Sequence, residues 1–402
     1  MASSALRPAR RMASVGLSEI VRVSEAAAAL KAAGRDVISL GTGEPDFPTP
    51  PHVIEAAHAA ALAGDTKYTA TQGTLALRRA IAEACARDNG FAPTPAEIIV
   101  STGAKQAIFN AFFATLDDGD EVLIAAPYWT SYSDMVTVCG GVAKPIPTTG
   151  ADGFRLTPAA LAAAITPRTR WLLLNSPGNP SGAVLSAADQ AALAEVLRAH
   201  PQVAVLSDEI YQHISYVPFT SFRIAAPDLA DRTLIVNGVS KFASMTGWRL
   251  GWGIGPAPLI RLMTEVQGQV TSGTSSISQA AAIAALLGPQ DYIAPRREAF
   301  RKRRDLVAAA LNATGRLNCP LPDGAFYLYV DCSPCFGLTT PAGVTLADDA
   351  TFCAELLAQE GVAVVPGRAF GLPGHFRLSY AYDEVSLARA SAAIARFCAS
   401  LS

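Results

Sequence analysis

Five apolar, β-prone runs, each ending in a polar, aromatic or glycine-rich turn, constrain this chain more than any other feature. Glu97-Ile-Ile-Val100 runs into Ser101-Thr-Gly and then a helix-like stretch, Ala104 to Leu116. Glu121-Val-Leu-Ile-Ala125 ends at Pro127-Tyr-Trp129, and Trp171-Leu-Leu-Leu174 ends at Asn175-Ser-Pro-Gly-Asn-Pro180. Val203-Ala-Val-Leu206 ends at Ser207-Asp-Glu209, and Thr233-Leu-Ile-Val236 ends near Lys241. Short β-rich runs alternating with helical segments argue for a parallel sheet wrapped by helices. In open α/β sheets ligands gather beyond the carboxyl ends of the strands. Strand ends that repeatedly carry functional or turn-forming residues therefore predict one shared site.

After about residue 296 the character changes. Arginines at 296, 297, 301, 303 and 304 decorate a long helix. Phe326-Tyr-Leu-Tyr-Val330, Val362-Ala-Val-Val365 and Phe376-Arg-Leu-Ser-Tyr380 read as strands, and a helix from Glu384 to Leu401 closes the chain. This predicts a smaller α+β domain over 296–402 and a large domain over 51–295. Residues 1–50 form an N-terminal segment that joins the small domain, because Gly41-Thr-Gly-Glu-Pro-Asp-Phe-Pro-Thr-Pro50 breaks the chain before the helix His52 to Ala63. A length of 402 residues suits two domains rather than one small core.

Half the residues are apolar and the formal net charge is −2, which gives no reason to propose nucleic acid or an anionic membrane as partner. Arg7, Arg10 and Arg11 make the start basic, but no apolar stretch follows of the kind a secretory signal needs. No apolar run approaches a membrane span. The seven cysteines are scattered and odd in number, which points to a reducing compartment, the cytoplasm. Cys332 and Cys335 form a single CxxC without a second ligand pair, so no metal is expected, since zinc needs about four ligands.

Lys241 lies in Asn237-Gly-Val-Ser-Lys-Phe-Ala-Ser-Met-Thr-Gly-Trp-Arg-Leu-Gly251, where small residues leave space around its amine, and Arg249 follows eight residues later. A lysine becomes nucleophilic when burial or cationic neighbours lower its pKa. Set in a pocket near an anion-binding arginine, it suits a covalent imine to a phosphate-bearing aldehyde; the plain alternative is a solvated loop lysine. Ser101-Thr-Gly-Ala-Lys105 is a strand, a small-residue turn and a helix start, a phosphate cradle made of free N–H groups and the helix dipole. Its plain reading is a turn.

Asp208 follows an apolar strand, where a carboxylate needs a cationic partner; the dull alternative is a helix cap. A pyridinium nitrogen supplies such a cation. Tyr211 stands three residues on and reads either as a second site residue or as core. Asn179, flanked by Gly178 and Pro180, reads either as a loop residue or as a donor to a phenolate oxygen. Trp129 offers a flat face for an aromatic ring, or is core. Arg377 interrupts an apolar strand, which suits bidentate pairing with a carboxylate or a structural ion pair.

Together these stretches resemble the class I, fold-type I pyridoxal-phosphate aminotransferases, most closely the bacterial aspartate aminotransferase branch. The resemblance runs from Gly41-Thr-Gly-Glu-Pro-Asp-Phe47 to Arg377-Leu-Ser-Tyr380, with the lysine signature preceded in order by Ser176-Pro-Gly-Asn-Pro-Ser-Gly182 and Ser207-Asp-Glu-Ile-Tyr211. It implies a large domain with a mostly parallel sheet flanked by helices, plus a smaller α+β domain. It implies amino transfer from an L-amino acid, aspartate or glutamate first, to a 2-oxo acid by a ping-pong route with pyridoxal 5′-phosphate. Lys241 is implied to carry the cofactor and move the proton, Asp208 to pair with the pyridinium nitrogen, and Asn179 and Tyr211 to contact the ring oxygen. Trp129 is implied to stack on the ring, while Gly103, Ala104, Lys105 and Arg249 surround the phosphate. Tyr68 is similar to a tyrosine that reaches the phosphate of the neighbouring subunit, so a homodimer with shared sites is implied. Gly43, Trp129 and Asn179 face the substrate, Arg377 clamps its α-carboxylate, and Lys105 can contact a distal carboxylate.

Two positions depart from the pattern. Gly238 stands where many relatives have a phosphate-binding serine, with Ser240 as a possible substitute. No match is found to the partner-subunit arginine that some relatives use for a side-chain carboxylate. The nearest rivals are another reaction on the same scaffold, such as β-elimination, and an aromatic or prephenate-type aminotransferase. A non-catalytic regulator with an added DNA-binding domain does not suit a chain whose pattern starts within its first fifty residues.

Overall fold

The computed structural model describes residue 7 and residues 9–402; residues 1–6 and 8 of the expected N-terminal segment lie outside the described residues. Its centre is a seven-stranded sheet in the spatial order Ile98–Ser101, Gly251–Ile254, Thr233–Gly238, Ala204–Asp208, Thr169–Asn175, Glu121–Ala126, Val142–Pro147. Gly251–Ile254 runs antiparallel to both neighbours, and the other pairings are parallel. Parallel neighbours need crossover connections, and the intervening helices supply them. The five apolar runs thus all become strands of one sheet; Val142–Pro147 and Gly251–Ile254 complete it. Val142–Pro147 lacks an apolar run, being mostly solvent-facing at the sheet edge, and Gly251-Trp-Gly-Ile254 is half glycine.

The strands are apolar throughout because both faces are covered. Side chains alternate between faces with period two. Ile98, Val100, Leu172, Leu174, Val205 and Ile235 enter one core, whereas Ile99, Trp171, Leu173, Leu206, Leu234 and Val236 enter the other. Helices Pro51–Leu62, Leu75–Asn89 and Ser276–Leu287 pack together beside the first core, while Ala104–Thr115 and Ala257–Val270 pack beside the second.

A separate core gathers Phe300, Leu328, Phe352, Phe376, Leu387 and Phe397 around a three-stranded antiparallel sheet. In that sheet His375–Ser379 lies between Val365–Pro366 and Tyr327–Asp331. The single strand expected over Val362–Val365 is split: Val362–Ala363 pairs in parallel with Ile38–Ser39, and Val365–Pro366 pairs with Arg377 and Phe376. Val364 marks the switch and is fully buried. The pairing, together with the Ser379 N–H donating to the Leu40 carbonyl at 2.8 Å, fixes the chain just before Gly41.

Strand register sets the site. Asn175 and Asp208 are register partners, as are Asp208 and Val236, and Ser101 and Gly238 both pair with Gly251. The carboxyl ends of four strands are therefore level with one another on one edge of the sheet, the edge at which open α/β sheets bind ligands.

Candidate active site

A cavity of about 340 Å³ opens at that edge. Of the residues singled out in the sequence, Gly43, Gly103, Ala104, Lys105, Trp129 and Asn179 line it. Asp208, Tyr211, Lys241, Arg249 and Arg377 line it too. Tyr68 does not; it is 97 % exposed on the surface of the chain.

Lys241 follows the strand Thr233–Gly238, and its Nζ donates to the Gly43 carbonyl at 2.8 Å. It is half-buried, and the exposure it keeps is to the cavity it lines. Burial lowers its pKa to about 8; the positive charges of Arg377 and Arg249 push the same way, against Glu44 and Asp208. An amine with that proton affinity exists in part as the free base near neutral pH, as a nucleophile or general base requires.

Asp208 ends its strand and is 3 % exposed. Burial pushes its carboxyl up to about 6, opposed by hydrogen bonds from the Tyr132 hydroxyl and the Ile210 N–H. Those donors lie 2.7 Å from Oδ2 and 3.1 Å from Oδ1. Both are neutral, so the carboxylate has no bonded cation among the described residues. A buried carboxylate in that state favours a cationic N–H in the adjoining cavity. Asn175 ties the neighbouring loop to this strand: its Nδ2 donates to the Asp208 carbonyl at 3.0 Å, and its Oδ1 accepts from the Asn179 N–H at 2.8 Å.

Gly103 ends the turn before helix Ala104–Thr115 with φ +82°. A Cβ there would stand 2.8 Å from Arg249 Nη2. Gly251 lets the Ala104 amide approach so closely that any Cβ would collide with it. The first N–H groups of this helix have no intrahelical acceptor. Arg249 adds a guanidinium beside them, held in the left-handed region at φ 53° with Nη1 donating to the Thr246 carbonyl at 2.9 Å. Amides at a helix start next to an arginine form an anion cradle. Lys105 Nζ lies 4.6 Å from the centre of the Trp129 ring, and burial lowers its pKa, with Arg249 adding to the effect.

Arg377 is 1 % exposed. Its Nη1 donates to Asn179 Oδ1 at 3.0 Å, and its Nη2 donates to the Gly41 carbonyl. Nε has no partner among the described residues although it is buried. A fully buried guanidinium without a carboxylate on it is costly, and a carboxylate in the cavity resolves that cost. Taken together, the residues present fit pyridoxal phosphate: an anion cradle, a buried carboxylate lacking a cation, an aromatic face at Trp129, and a lysine with lowered proton affinity converge on one cavity.

The sequence reading passed over Tyr132, Tyr327, Asn175, Glu44 and Thr246, which also line the cavity. Tyr132 stands three residues after Trp129, one helical turn on, so the spacing rule applied to Asp208 and Tyr211 also applies here. Glu44 lies inside the Gly41–Phe47 stretch and accepts from the Thr246 hydroxyl. Tyr327 left no such signal; it belongs to a strand whose faces cannot be told apart before the fold is known. Space at Gly238 is tight: a Cβ there would be 3.0 Å from both Gly251 Cα and the Leu250 carbonyl. Ser240, not Gly238, lines the cavity. Among the described residues no cluster of His, Cys, Asp and Glu is arranged to hold a metal.

The comparison with known proteins agrees with this geometry. The family model described as aminotransferase class I and II matches residues 35–394. An aspartate aminotransferase from Rhizobium meliloti is 54 % identical over 98 % of this chain and 97 % of its own length. An aspartate/prephenate aminotransferase from Cereibacter sphaeroides is 51 % identical over 97 % of this chain and 98 % of its own. The crystal structure of a Rhizobium meliloti aspartate aminotransferase superposes with a TM-score of 0.97 at 53 % identity, covering 99 % of this chain and 100 % of that one. That of Thermus thermophilus aspartate aminotransferase with maleate gives 0.91 at 41 % identity, covering 98 % and 100 %. This chain belongs to the class I and II aminotransferases, in the bacterial aspartate aminotransferase branch, and is a pyridoxal-phosphate-dependent enzyme that exchanges an amino group between an amino acid and a 2-oxo acid.

Proposed function

We propose that the amino donors are aspartate and glutamate, and that Lys241 is the base of the reaction. The observation that carries the proposal is the convergence of two cationic side chains with Lys241 on one cavity: the buried Arg377 and the more exposed Lys105. Arg377 suits an α-carboxylate, and Lys105 suits a second, distal one. The names of the relatives from Rhizobium meliloti favour the same donor.

Bound pyridoxal phosphate supplies an electron sink that makes the Cα–H bond of an amino acid acidic. The chain's own residues do the rest. Lys241 Nζ, neutral in part at physiological pH, takes the proton from the substrate Cα. With the cofactor bound, the Asp208 carboxylate would keep a proton on the ring nitrogen, and Tyr132 helps keep Asp208 charged. Asn179 and Tyr211 would hold the ring oxygen, and Trp129 would supply an aromatic face for the ring. The helix start at Gly103, Ala104 and Lys105 would bind the phosphate together with Arg249. Arg377 would hold the substrate α-carboxylate and so limit which Cα bond is presented to Lys241. Gly43 lines the cavity and would border the substrate; a side chain there would collide with the Tyr327 hydroxyl.

The active form is a homodimer in this reading. Tyr68 supports it: it is almost fully exposed and does not line the cavity of its own chain, so a phosphate contact by this residue would be made in a neighbouring subunit. The enzyme works in the cytoplasm; its seven cysteines are all free, which suits a reducing compartment, and no helix among the described residues is long and apolar enough to cross a membrane. Its chain divides into a large domain over residues 51–295 and a small one over 296–402 joined by the first fifty, consistent with the separate cores.

A half-reaction screen tests the donor. The loaded enzyme is mixed with single amino acids and the loss of its visible absorbance is followed. Aspartate and glutamate are expected to convert it fastest, with prephenate and oxaloacetate compared as acceptors in the reverse half. Release of pyruvate and ammonia in place of a new amino acid would mean a lyase.

A further inference from the structure

Tyr327 takes no part in the roles above, yet it touches three of the groups that do. Its hydroxyl lies 2.8 Å from that of Tyr211, and either oxygen can be the donor. Its ring centre lies 4.7 Å from the Arg377 guanidinium carbon. A Cβ on Gly43 would fall on its hydroxyl, and the Gly43 carbonyl accepts from Lys241. Tyr327 is 1 % exposed and sits on Tyr327–Asp331, the strand paired with the one that carries Arg377.

Counting protons gives this contact a direction. A phenol has one hydrogen to donate and lone pairs to accept with. If Tyr211 donates to the ring oxygen of the cofactor, its own oxygen can only accept from Tyr327. Tyr327 then donates, and its donor strength adds to that of Tyr211. That strength depends on the charge against its ring. The guanidinium of Arg377 has no carboxylate among the described residues, and its Nε is unpartnered. Burial raises the Tyr327 pKa, and Arg377 is the largest influence opposing it. A substrate carboxylate on Arg377 cancels that positive charge, weakens Tyr327 as a donor, and so weakens the Tyr211 donation to the ring oxygen.

We propose that Tyr327 is a positioning residue that relays occupancy of Arg377 by a carboxylate to the Tyr211 hydroxyl. The relay rests on the reading that Tyr211 serves the ring oxygen and Lys241 holds the cofactor. Its consequence is that proton affinity where Lys241 holds the cofactor is higher with a carboxylate docked than without one. Other charged groups face these residues. Asp208 and Arg377 face Tyr211, Tyr382 and Arg377 face Tyr327, and Glu44, Arg377, Asp208 and Arg249 face Lys241. Arg377 also reaches Asn179, so a parallel route exists and removing Tyr327 reduces the effect without abolishing it.

The test is a pH titration of the visible absorbance of the loaded enzyme, with and without saturating succinate, in the natural chain and in Tyr327→Phe. In the natural chain succinate is expected to raise the midpoint by about one unit, a tenfold change in proton affinity. In Tyr327→Phe the rise should fall to less than half of that, while the succinate dissociation constant stays within about twofold, as RT ln of a small factor allows when Arg377 is intact. A full-sized rise in Tyr327→Phe overturns the proposal. Should that variant not fold, Tyr211→Phe breaks the relay at its other end and must show the same reduced rise; an undiminished one overturns it equally. A natural chain with no titrating visible band contradicts the reading of Lys241 itself, which separates the two failures.

Discussion

The Tyr132 hydroxyl donates to Asp208 Oδ2 at 2.7 Å, joining the helix Ser131–Val138 to the end of strand Ala204–Asp208 in the floor of the cavity. Both residues are buried, so water offers no substitute for that bond. It is one of two hydrogen bonds that, with the positive charge of Lys241, hold the carboxyl of Asp208 below where burial would put it.

Tyr132→Phe therefore raises the proton affinity of Asp208 and lowers the share of carboxylate at neutral pH. Losing a hydrogen bond to a charged group costs about 1.5–3 kcal/mol. Apoprotein carrying this change is expected to bind pyridoxal phosphate at least tenfold more weakly in a fluorescence titration, with the loss shrinking above pH 8. An unchanged dissociation constant would show that Tyr132 is only packing.

Lys241 gives a pH signature in the apoprotein. Its folded pKa of about 8 lies below the ordinary lysine value, so the folded state disfavours the charged form. Above the unfolded value the amine is neutral in both states and costs nothing. As pH falls from 10.5 toward 8 the unfolded amine takes up a proton that the folded one does not, so stability is lost across that window; below 8 the amine is charged in both states and the full cost of burying it remains. Apo Lys241→Met should thus be more stable than the natural apoprotein at pH 7, on the order of 1–2 kcal/mol once the solvent open to the cavity is allowed for. Thermal melts should converge as pH approaches 10.5, the model-compound value for lysine. A constant difference across this range would remove burial as the cause of the shift.

Gly103 and Arg249 meet at the phosphate cradle. Gly103→Ala puts a Cβ on a backbone at φ 82° and ψ 161°, a conformation open essentially to glycine alone, and 2.8 Å from Arg249 Nη2. Strain of that kind costs on the order of 1–3 kcal/mol. The expected result is weaker binding of pyridoxal phosphate and of inorganic phosphate alike, with the far-UV spectrum unchanged.

How much of this was legible beforehand follows from what each kind of residue announces. Buried parallel strands announce themselves as apolar runs, so the sheet and its carboxyl-end site could be read. Gly251-Trp-Gly-Ile254 could not, because Gly251 lets Gly103 and Ala104 approach and Gly253 leaves room for Leu234, Met263 and Ile99, long-range demands with no local trace. Lys241, Asp208 and Arg377 stood out because a charge in an apolar strand or small-residue turn needs a reason. Tyr132 and Tyr327 did not stand out, since a tyrosine among apolar neighbours is equally at home in any core. Their roles come from hydroxyl partners 76 and 116 residues away in sequence.

Lys105→Met tests the donor reading separately from the chemistry. It should raise KM for aspartate about 10–100-fold, the cost of about 1.5–3 kcal/mol for a charge-assisted bond. The KM for alanine, which has no distal carboxylate, should change far less. Equal loss for both would assign Lys105 to the phosphate alone.

The most direct measurement is to reduce the pyridoxal-phosphate-loaded enzyme with borohydride, digest it, and find the modified peptide by mass spectrometry. The account predicts a pyridoxyl group on Lys241 and on no other lysine. A label on Lys105 or elsewhere, or a loaded enzyme that takes up no label, would contradict it.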